Sequence, residues 1–427
     1  MSSIKLFNYQ KEILEKTKDQ NKVAYWLDMG LGKTFIGSEK LIELNTKYNL
    51  VICQKSKIDD WYHHFCEFYG VGNVIFNLTN KKEFDQFMNF PKCDQNLIGI
   101  INYDLVFRRK DLLKLKDFTL LLDESSQIQN VKAKRTKFIL KLKSKNNILL
   151  SGTPVSGKYE NLWSQAQLLG WNINKSTYEK QYIKFKNILV EGLPIRIVDG
   201  YKNVDRLKQK LRENGAIFLK TEEVLELPEQ NFIEVNCKKP KEYYKFLKNK
   251  IVEINDQTLV GSRILTHRLY LRMICGLYNK YKYEALEDIL ESTNERIIVF
   301  YNFKEELSQM LKRCSREHVS IINGDTKDLS AYENHDDSVT FIQYQAGAMG
   351  LNLQKANKII YFSPTESSEL FEQSKKRIHR IGQNDTCFYY LLTAENSIEN
   401  AIYKNLKLRR DYTNELFKEE ILNGQIN

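Results

Sequence analysis

The sequence predicts an α/β protein built from two parallel-sheet lobes, each carrying a helical protrusion. Three observations predict it. Short, wholly apolar runs recur through the first 150 residues, and again from about 296 to 392. The stretches between the runs are amphipathic, as crossover helices on both faces of a parallel sheet require. A region with helical periodicity separates the two clusters.

The elements follow in order. VAYWL (23–27), NLVIC (49–53), NLIGI (96–100), FTLLLD (118–123) and NILLS (147–151) read as buried strands. From about 155 to 225 the chain runs through ENLWSQAQLLGW into a Tyr- and Lys-rich passage with few buried-strand signals, so a helical insert and a connection are expected there. EYYKFLKNKIVEI and RILTHRLYLRMICGLY, within 238–290, have helical periodicity. Strands return at RIIVFY (296–301), VSIIN (319–323), VTFIQY (339–344), NKIIYFS (357–363) and CFYYLL (387–392). The last segment, SIENAIYKNLKLRRDYTNELFKEEI, is helix-prone.

Composition bounds the class. The 427 residues suggest two to three domains at roughly 150 residues each. With 42% hydrophobic and 28% charged residues, the chain can bury cores and is not globally disordered. Six prolines and 19 glycines argue against collagen-like or linker-rich material. No apolar run reaches the ~18 residues of a membrane helix, and MSSIKLFNYQ lacks a signal-peptide core. A soluble, intracellular protein with no membrane partner is therefore expected. Seven widely spaced cysteines without a CxxC fit reduced thiols rather than a zinc ribbon or disulfide framework. The pair His63-His64 has no partner at zinc-ligand spacing. The net charge of +11 is compatible with a polyanionic partner.

Three strings carry chemistry. Asp28-Met-Gly-Leu-Gly-Lys-Thr34 lies between a strand and an amphipathic stretch. Its glycines allow backbone N–H groups to approach phosphate oxygens at a helix N-terminus. Lys33 would reach the β- and γ-phosphates and Thr34 would bind magnesium. The strict phosphate-loop pattern wants Gly where this chain has Leu27, and a solvated turn before a helix is the alternative. Leu120-Leu-Leu-Asp-Glu124 ends a strand in two carboxylates. Asp123 would hold magnesium and Glu124 would orient or deprotonate the attacking water; a solvated acidic turn is the alternative. In Gln373-Ser-Lys-Lys-Arg377-Ile-His-Arg380-Ile-Gly-Gln383, Arg377 and Arg380 share a face if the stretch is helical. They could stabilise a phosphoryl transition state, or form an ordinary basic surface. His379 between them reads as structural.

Together these strings resemble the Swi/Snf-type ATPases, a branch of the superfamily-two helicases, in order along nearly the whole chain. Leu6-x-x-Tyr9-Gln10 is similar to the family's adenine-reading motif. DMGLGKT is the family's form of the phosphate loop. VICQKSKIDDWYHHF (51–65), INYD (101–104), DESS (123–126) and LLSGTPVSGKYENLWS (149–164) resemble its first-lobe motifs. INGDT, AGAMGLNLQKANKIIYFSP (346–364) and HRIGQ (379–383) resemble those of its second lobe, and the terminal segment resembles the helix that braces the lobes. The chain departs from the family at Ser126, where most members have His, and at Gln345, Met349 and Gln354. Altered coupling rather than a dead site is expected from Ser126. The Asp-Glu-Ser triplet is reminiscent of the annealing-helicase branch.

The resemblance implies two RecA-like lobes flanking an ATP cleft: 1–225, with a protrusion near 155–220, and 226–427, with a protrusion near 238–290 and the C-terminal brace helix. It implies ATP on Gln10, Gly30, Leu31, Gly32, Lys33, Thr34, Asp123 and Gln373, magnesium on Thr34 and Asp123, and catalysis by Lys33, Glu124, Arg377 and Arg380. By motif position, DNA would meet Ser56, Lys57, Asn102, Tyr103, Gln345 and Asn352. The expected activity is DNA-stimulated ATP hydrolysis driving translocation on duplex, forked or branched DNA. Strand separation in replication or recombination is one alternative, and a nucleotide-dependent DNA clamp with little turnover is another. No appended domain is recognisable, so a bare monomeric core is expected, open to a replication or recombination partner protein. Its Lys-, Asn- and Ile-rich composition suggests a bacterial cytoplasm or a phage-infected cell.

Overall fold

The computed structural model describes residues 5–417, apart from 92–93, 156, 191–192, 225, 255–256, 262–263 and 348–350. The chain divides into two compact units, Met1–Val224 with Asp411–Asn427, and Leu225–Arg410.

The first unit is built on strands β1 (Lys22–Leu27), β2 (Tyr48–Cys53), β3 (Asn73–Asn77), β4 (Asn96–Asn102), β5 (Lys116–Leu122) and β6 (Lys143–Ser151), then the pair β7 (Ile183–Val190) and β8 (Leu193–Tyr201), then β9 (Ala216–Leu219). Seven of these form one sheet in the order β3-β4-β2-β5-β6-β1-β9, parallel throughout. The central strands are buried along nearly their whole length because crossover helices cover both faces. All the β→helix turns therefore leave from one edge of the sheet, the carboxyl edge, where ligands of open α/β sheets bind.

The second unit contains β10 (Gln230–Cys237), β11 (Ile251–Ile254), β12 (Gln257–Val260), β13 (Ile297–Tyr301), β14 (Val319–Ile322), β15 (Lys327–Asp328), β16 (Val339–Gln343), β17 (Lys358–Tyr361) and β18 (Cys387–Ala394). Its main sheet has the order β10-β18-β17-β13-β16-β14-β15. Only the short β15 runs antiparallel, to β14. Alternation along β13 builds two cores: Ile298 and Phe300 pack with Ile342, Tyr361 and Tyr389 on one face, Ile297, Val299 and Tyr301 with Phe341 and Phe362 on the other.

Both helical protrusions hold strands that the periodicity did not foretell. Between the helices Lys175–Tyr182 and Val204–Glu213 stands the antiparallel hairpin β7–β8. In the second unit IVEI, expected to continue a helix, is β11, paired with β12. Lys250, at φ +57°, ends the preceding helix and turns the chain into that strand. The two units also gain edge strands at β3, β9, β10 and β15. The Asn323-Gly324 turn of INGDT joins β14 to the antiparallel β15. Asn323 Oδ1 accepts the N–H groups of Asp325 and Thr326 there.

Candidate active site

Three turns leave the carboxyl ends of the consecutive strands β5, β6 and β1 and form the candidate site. The turn after β1 is the glycine loop. Gly30 and Gly32 have φ +89° and +67°, and the helix Lys33–Glu43 starts directly after Gly32. A Cβ on Gly32 would lie 2.4 Å from Gln10 Nε2, so the close approach requires glycine as much as the backbone angle does. Gln10 is buried. Its Nε2 donates to Leu31 O at 3.2 Å and its Oε1 accepts from Phe7 N–H at 2.9 Å. Tyr9 OH donates to the same Leu31 carbonyl, which fastens the helix Asn8–Lys16 to the loop. Lys33 Nζ donates to Leu27 O and Asp28 O at 3.0 and 3.1 Å, folded back over its own loop. Thr34 stands half-buried in the first helical turn. Thr221, just beyond β9, donates to Asp28 Oδ2 at 2.9 Å, tying the loop to the sheet edge.

The turn after β5 carries Asp123 and Glu124. Trp61 Nε1–H donates to Asp123 Oδ2 at 2.8 Å, and Tyr103 OH donates to Asp123 O at 2.8 Å. Glu124 sits at φ +53°, a left-handed conformation uncommon for a non-glycine residue. Burial holds the Asp123 carboxyl above the usual carboxylate range, with the Trp61 hydrogen bond and the Lys33 charge acting against it. Its negative charge is thus under-compensated, and its oxygens, with the Thr34 hydroxyl, suit a hard divalent cation.

The turn after β6 is Ser151-Gly152-Thr153-Pro154. A Cβ on Gly152 would lie 3.4 Å from Lys33 Nζ, so this turn lies against the glycine loop. Ser151 Oγ donates to Glu124 Oε2 at 3.4 Å and accepts from Thr153 N–H.

In the second unit Arg377 and Arg380 both direct NH1 at Leu351 O, at 3.3 and 3.5 Å. They share a target, but not on a helix: the helix Ser368–Lys375 ends before them. Gln373, expected at the nucleotide, is buried on that helix with Nε2 3.4 Å from Glu369 Oε1. His379, read from the sequence as structural, has its Nε2 2.9 Å from Pro228 O.

Of the residues expected to meet DNA, Ser56, Gln345 and Asn352 are exposed. Lys57 pairs with Asp60 at 2.6 Å. Asn102 lines a groove of about 550 Å³ with Lys55, Asn77, Thr79 and Arg108 at the carboxyl ends of β2, β3 and β4. Tyr103 is 3% exposed and its hydroxyl donates to Asp123 O, away from the surface. Met349 lies outside the described residues. Trp61 lies in the 51–65 motif, but its contact with Asp123 is not local and was not foreseen; Thr221 gave no signal at all.

Two other features bear on metal and membrane chemistry. Among the described residues His318, His335 and Asp337 cluster closely enough to ligate an ion. The two rings, however, stack at 3.5 Å with planes 11° apart. Imidazole lone pairs lie in the ring plane, so parallel rings cannot aim at one ion. No helix among the described residues is long and apolar enough to cross a membrane.

A glycine loop, its lysine and paired carboxylates at one edge of a parallel sheet, followed by a second parallel-sheet unit, define the class of helicase-type ATP hydrolases. The chain belongs to the SNF2-related family: the SNF2-related domain matches residues 17–279, and the helicase conserved C-terminal domain matches 281–382. Among curated proteins it is 23% identical to the ISWI chromatin-remodeling complex ATPase ISW1 of Saccharomyces cerevisiae, over 92% of this chain and 39% of that protein. It is also 23% identical to the putative ATP-dependent helicase/translocase YwqA of Bacillus subtilis, over 92% of this chain and 46% of that one. The chain thus spans less than half the length of either relative. A solved structure, the Sulfolobus solfataricus SWI2/SNF2 ATPase core in complex with dsDNA, aligns with 97% of this chain and 93% of its own, at 19% identity and a TM-score of 0.45.

Proposed function

We propose that this chain hydrolyses ATP at the β5–β6–β1 edge of its first unit and uses the cycle to move along double-stranded or branched DNA, remodelling DNA or protein–DNA complexes. The observation that carries the reading is the convergence of Lys33, Asp123 and Glu124 with the Ser151–Thr153 turn at one sheet edge. The glycine loop would cradle the phosphates with backbone N–H groups at a helix N-terminus. Lys33 would leave the carbonyls of Leu27 and Asp28 for the β- and γ-phosphates. Thr34 and Asp123 would hold magnesium, which supplies charge neutralisation at the phosphates. Glu124 would position the attacking water and take its proton, with Ser151 fixing the carboxylate. Arg377 and Arg380 would supply positive charge to the transition state, making hydrolysis dependent on movement of the second unit. Gln10 is proposed as the adenine contact, for which its amide must exchange its present bonds.

The DNA reading is supported by the net charge of +11; in the groove beside Asn102, Lys55 and Arg108 stand with Asp59 and Asp104, so that groove adds no net positive charge to it. Contacts to DNA would be mainly to phosphate, hence steeply salt-dependent and indifferent to sequence. One observation favours strand separation as a second reading. The β7–β8 hairpin exposes Leu189 and Leu193 near its tip, at 76% and 69%, and an apolar tip can unstack a base step.

Displacement of a third strand from a triplex, beside unwinding of a tailed duplex, tests the proposal. ATP-dependent triplex displacement without unwinding is expected. Unwinding of the tailed duplex alone would replace translocation by the helicase reading, and activity in neither assay would overturn both.

A further inference from the structure

We propose that Ser125 and Gln165 form a positioning relay that joins the carboxylate turn after β5 to the turn after β6, so that DNA-driven movement of one resets the other. The inference rests on the ATPase and DNA reading above and names the regulation of that site.

The relay is a continuous line of buried polar contacts. Ser125, next to Glu124, donates from Oγ to Gln165 Oε1 at 2.7 Å. Gln165 Nε2 then donates to Pro154 O at 2.8 Å. Ser125 and Gln165 both have 0% exposure. The amide orientation is fixed by chemistry: a carbonyl only accepts, so the NH₂ must face Pro154 and the oxygen must face the serine. A parallel strand reinforces the line. Asn161 Nδ2 donates to Gln129 Oε1 at 2.8 Å, and Gln129 Nε2 approaches the same Pro154 carbonyl at 3.4 Å. Ser164 Oγ, one residue before Gln165, donates to Ile128 O at 2.7 Å.

Two features make this more than packing. An apolar side chain would fill the space under the turn without the desolvation cost of a buried amide. The amide's two ends also land on the two turns whose relative position sets Glu124 against Ser151. Displacing the Pro154 carbonyl therefore pulls on Gln165, and through Ser125 on the residue that precedes it.

The test compares the parent chain with Gln165→Met, Ser125→Ala and the double variant. The readouts are basal ATPase, ATPase with saturating duplex DNA, and KM for ATP. The Met variant keeps volume and removes both hydrogen bonds; Ser125→Ala removes a single hydroxyl and decides the matter should the Met variant not fold. Basal rate and KM should stay within about twofold. DNA-stimulated kcat should fall by ~5–150-fold, the range of typical coupling between sites, with the double variant no worse than the lower single one. Ser125→Thr, which keeps the hydroxyl, should restore stimulation. Stimulated rates within twofold of the parent would overturn the relay. So would equal losses of basal and stimulated rate, which mark structural support. A parent chain without DNA stimulation would overturn the functional reading itself and the relay with it, and that result is read from the parent alone.

Discussion

Replacing Gly32 by Ala tests how the nucleotide loop is held. The residue sits at φ +67°, where an L side chain costs ~1–2 kcal/mol. Its new Cβ would lie 2.4 Å from Gln10 Nε2, well inside contact distance. Gln10 ends in a flexible amide, but that amide is buried and bonded to both Leu31 O and Phe7 N–H. Moving it strands polar groups, at ~1–3 kcal/mol. The substitution should cost ~2–5 kcal/mol in all. Gly72→Ala is the control: φ is +80° and nothing lies within 4 Å of its Cβ, so only the backbone cost of ~1–2 kcal/mol applies. Urea unfolding of both variants, with binding of a fluorescent ATP analogue, measures the difference. Gly32→Ala should be the less stable and should bind the analogue at least tenfold more weakly, while Gly72→Ala binds normally. Equal destabilisation with normal binding in both would refute the account of the Gln10 contact.

Other expectations follow from the same geometry. Arg380→Ala should lower kcat at least a hundredfold and leave DNA affinity within about threefold; lost DNA binding with an intact basal rate would move Arg380 into the DNA path. Because burial raises the Asp123 pKa, the carboxyl takes a proton as pH falls before ordinary carboxylates do. The KM for magnesium–ATP should therefore begin to climb above the usual carboxylate range, and a KM flat down to that range would contradict the assignment. His64 packs against Phe35 and Phe68 and shares a 2.9 Å hydrogen bond with Ser38, on the helix that begins at Lys33. Burial lowers its pKa from 6.5 to about 4. The unfolded chain protonates first, so stability is complete above 6.5 and is lost as pH falls toward 4, by roughly 1–2 kcal/mol once solvent contact is allowed for. His64→Phe should flatten that window in urea titrations at pH 7 and 5; an unchanged slope would assign it to other groups.

The central strands were legible because each is buried on both faces, which makes an apolar run long enough to read. The edge strands were not. In β10 only Cys237 is buried, and in β3 only Phe76, so neither leaves a continuous apolar signal. In the β7–β8 hairpin only the start of β7, Ile-Lys-Phe-Lys, alternates Lys with apolar residues; β8 carries Pro, Asp and Gly, and the pair has no sheet neighbour among the described residues, so no clear period of two shows. At the site, the glycine loop and the Asp-Glu pair were legible because their chemistry is local. Trp61 reaches Asp123 across 62 residues, Thr221 reaches Asp28 across 193, and Gln165 reaches Ser125 across 40. No spacing rule links such positions; the order of the strands in the sheet does. Tyr103 was legible only as a motif position; that its hydroxyl bonds the Asp123 carbonyl, 20 residues on, was not.

The central claim is that the Lys33–Asp123–Glu124 edge hydrolyses ATP in response to DNA. Steady-state ATP hydrolysis by the parent chain and by Glu124→Gln, without nucleic acid and with duplex DNA at one fixed salt concentration, tests it most directly. The parent should be stimulated at least tenfold by duplex, and Glu124→Gln should bind ATP without turning it over. An unstimulated parent, or a Glu124→Gln variant with the parent's rate, would contradict the claim.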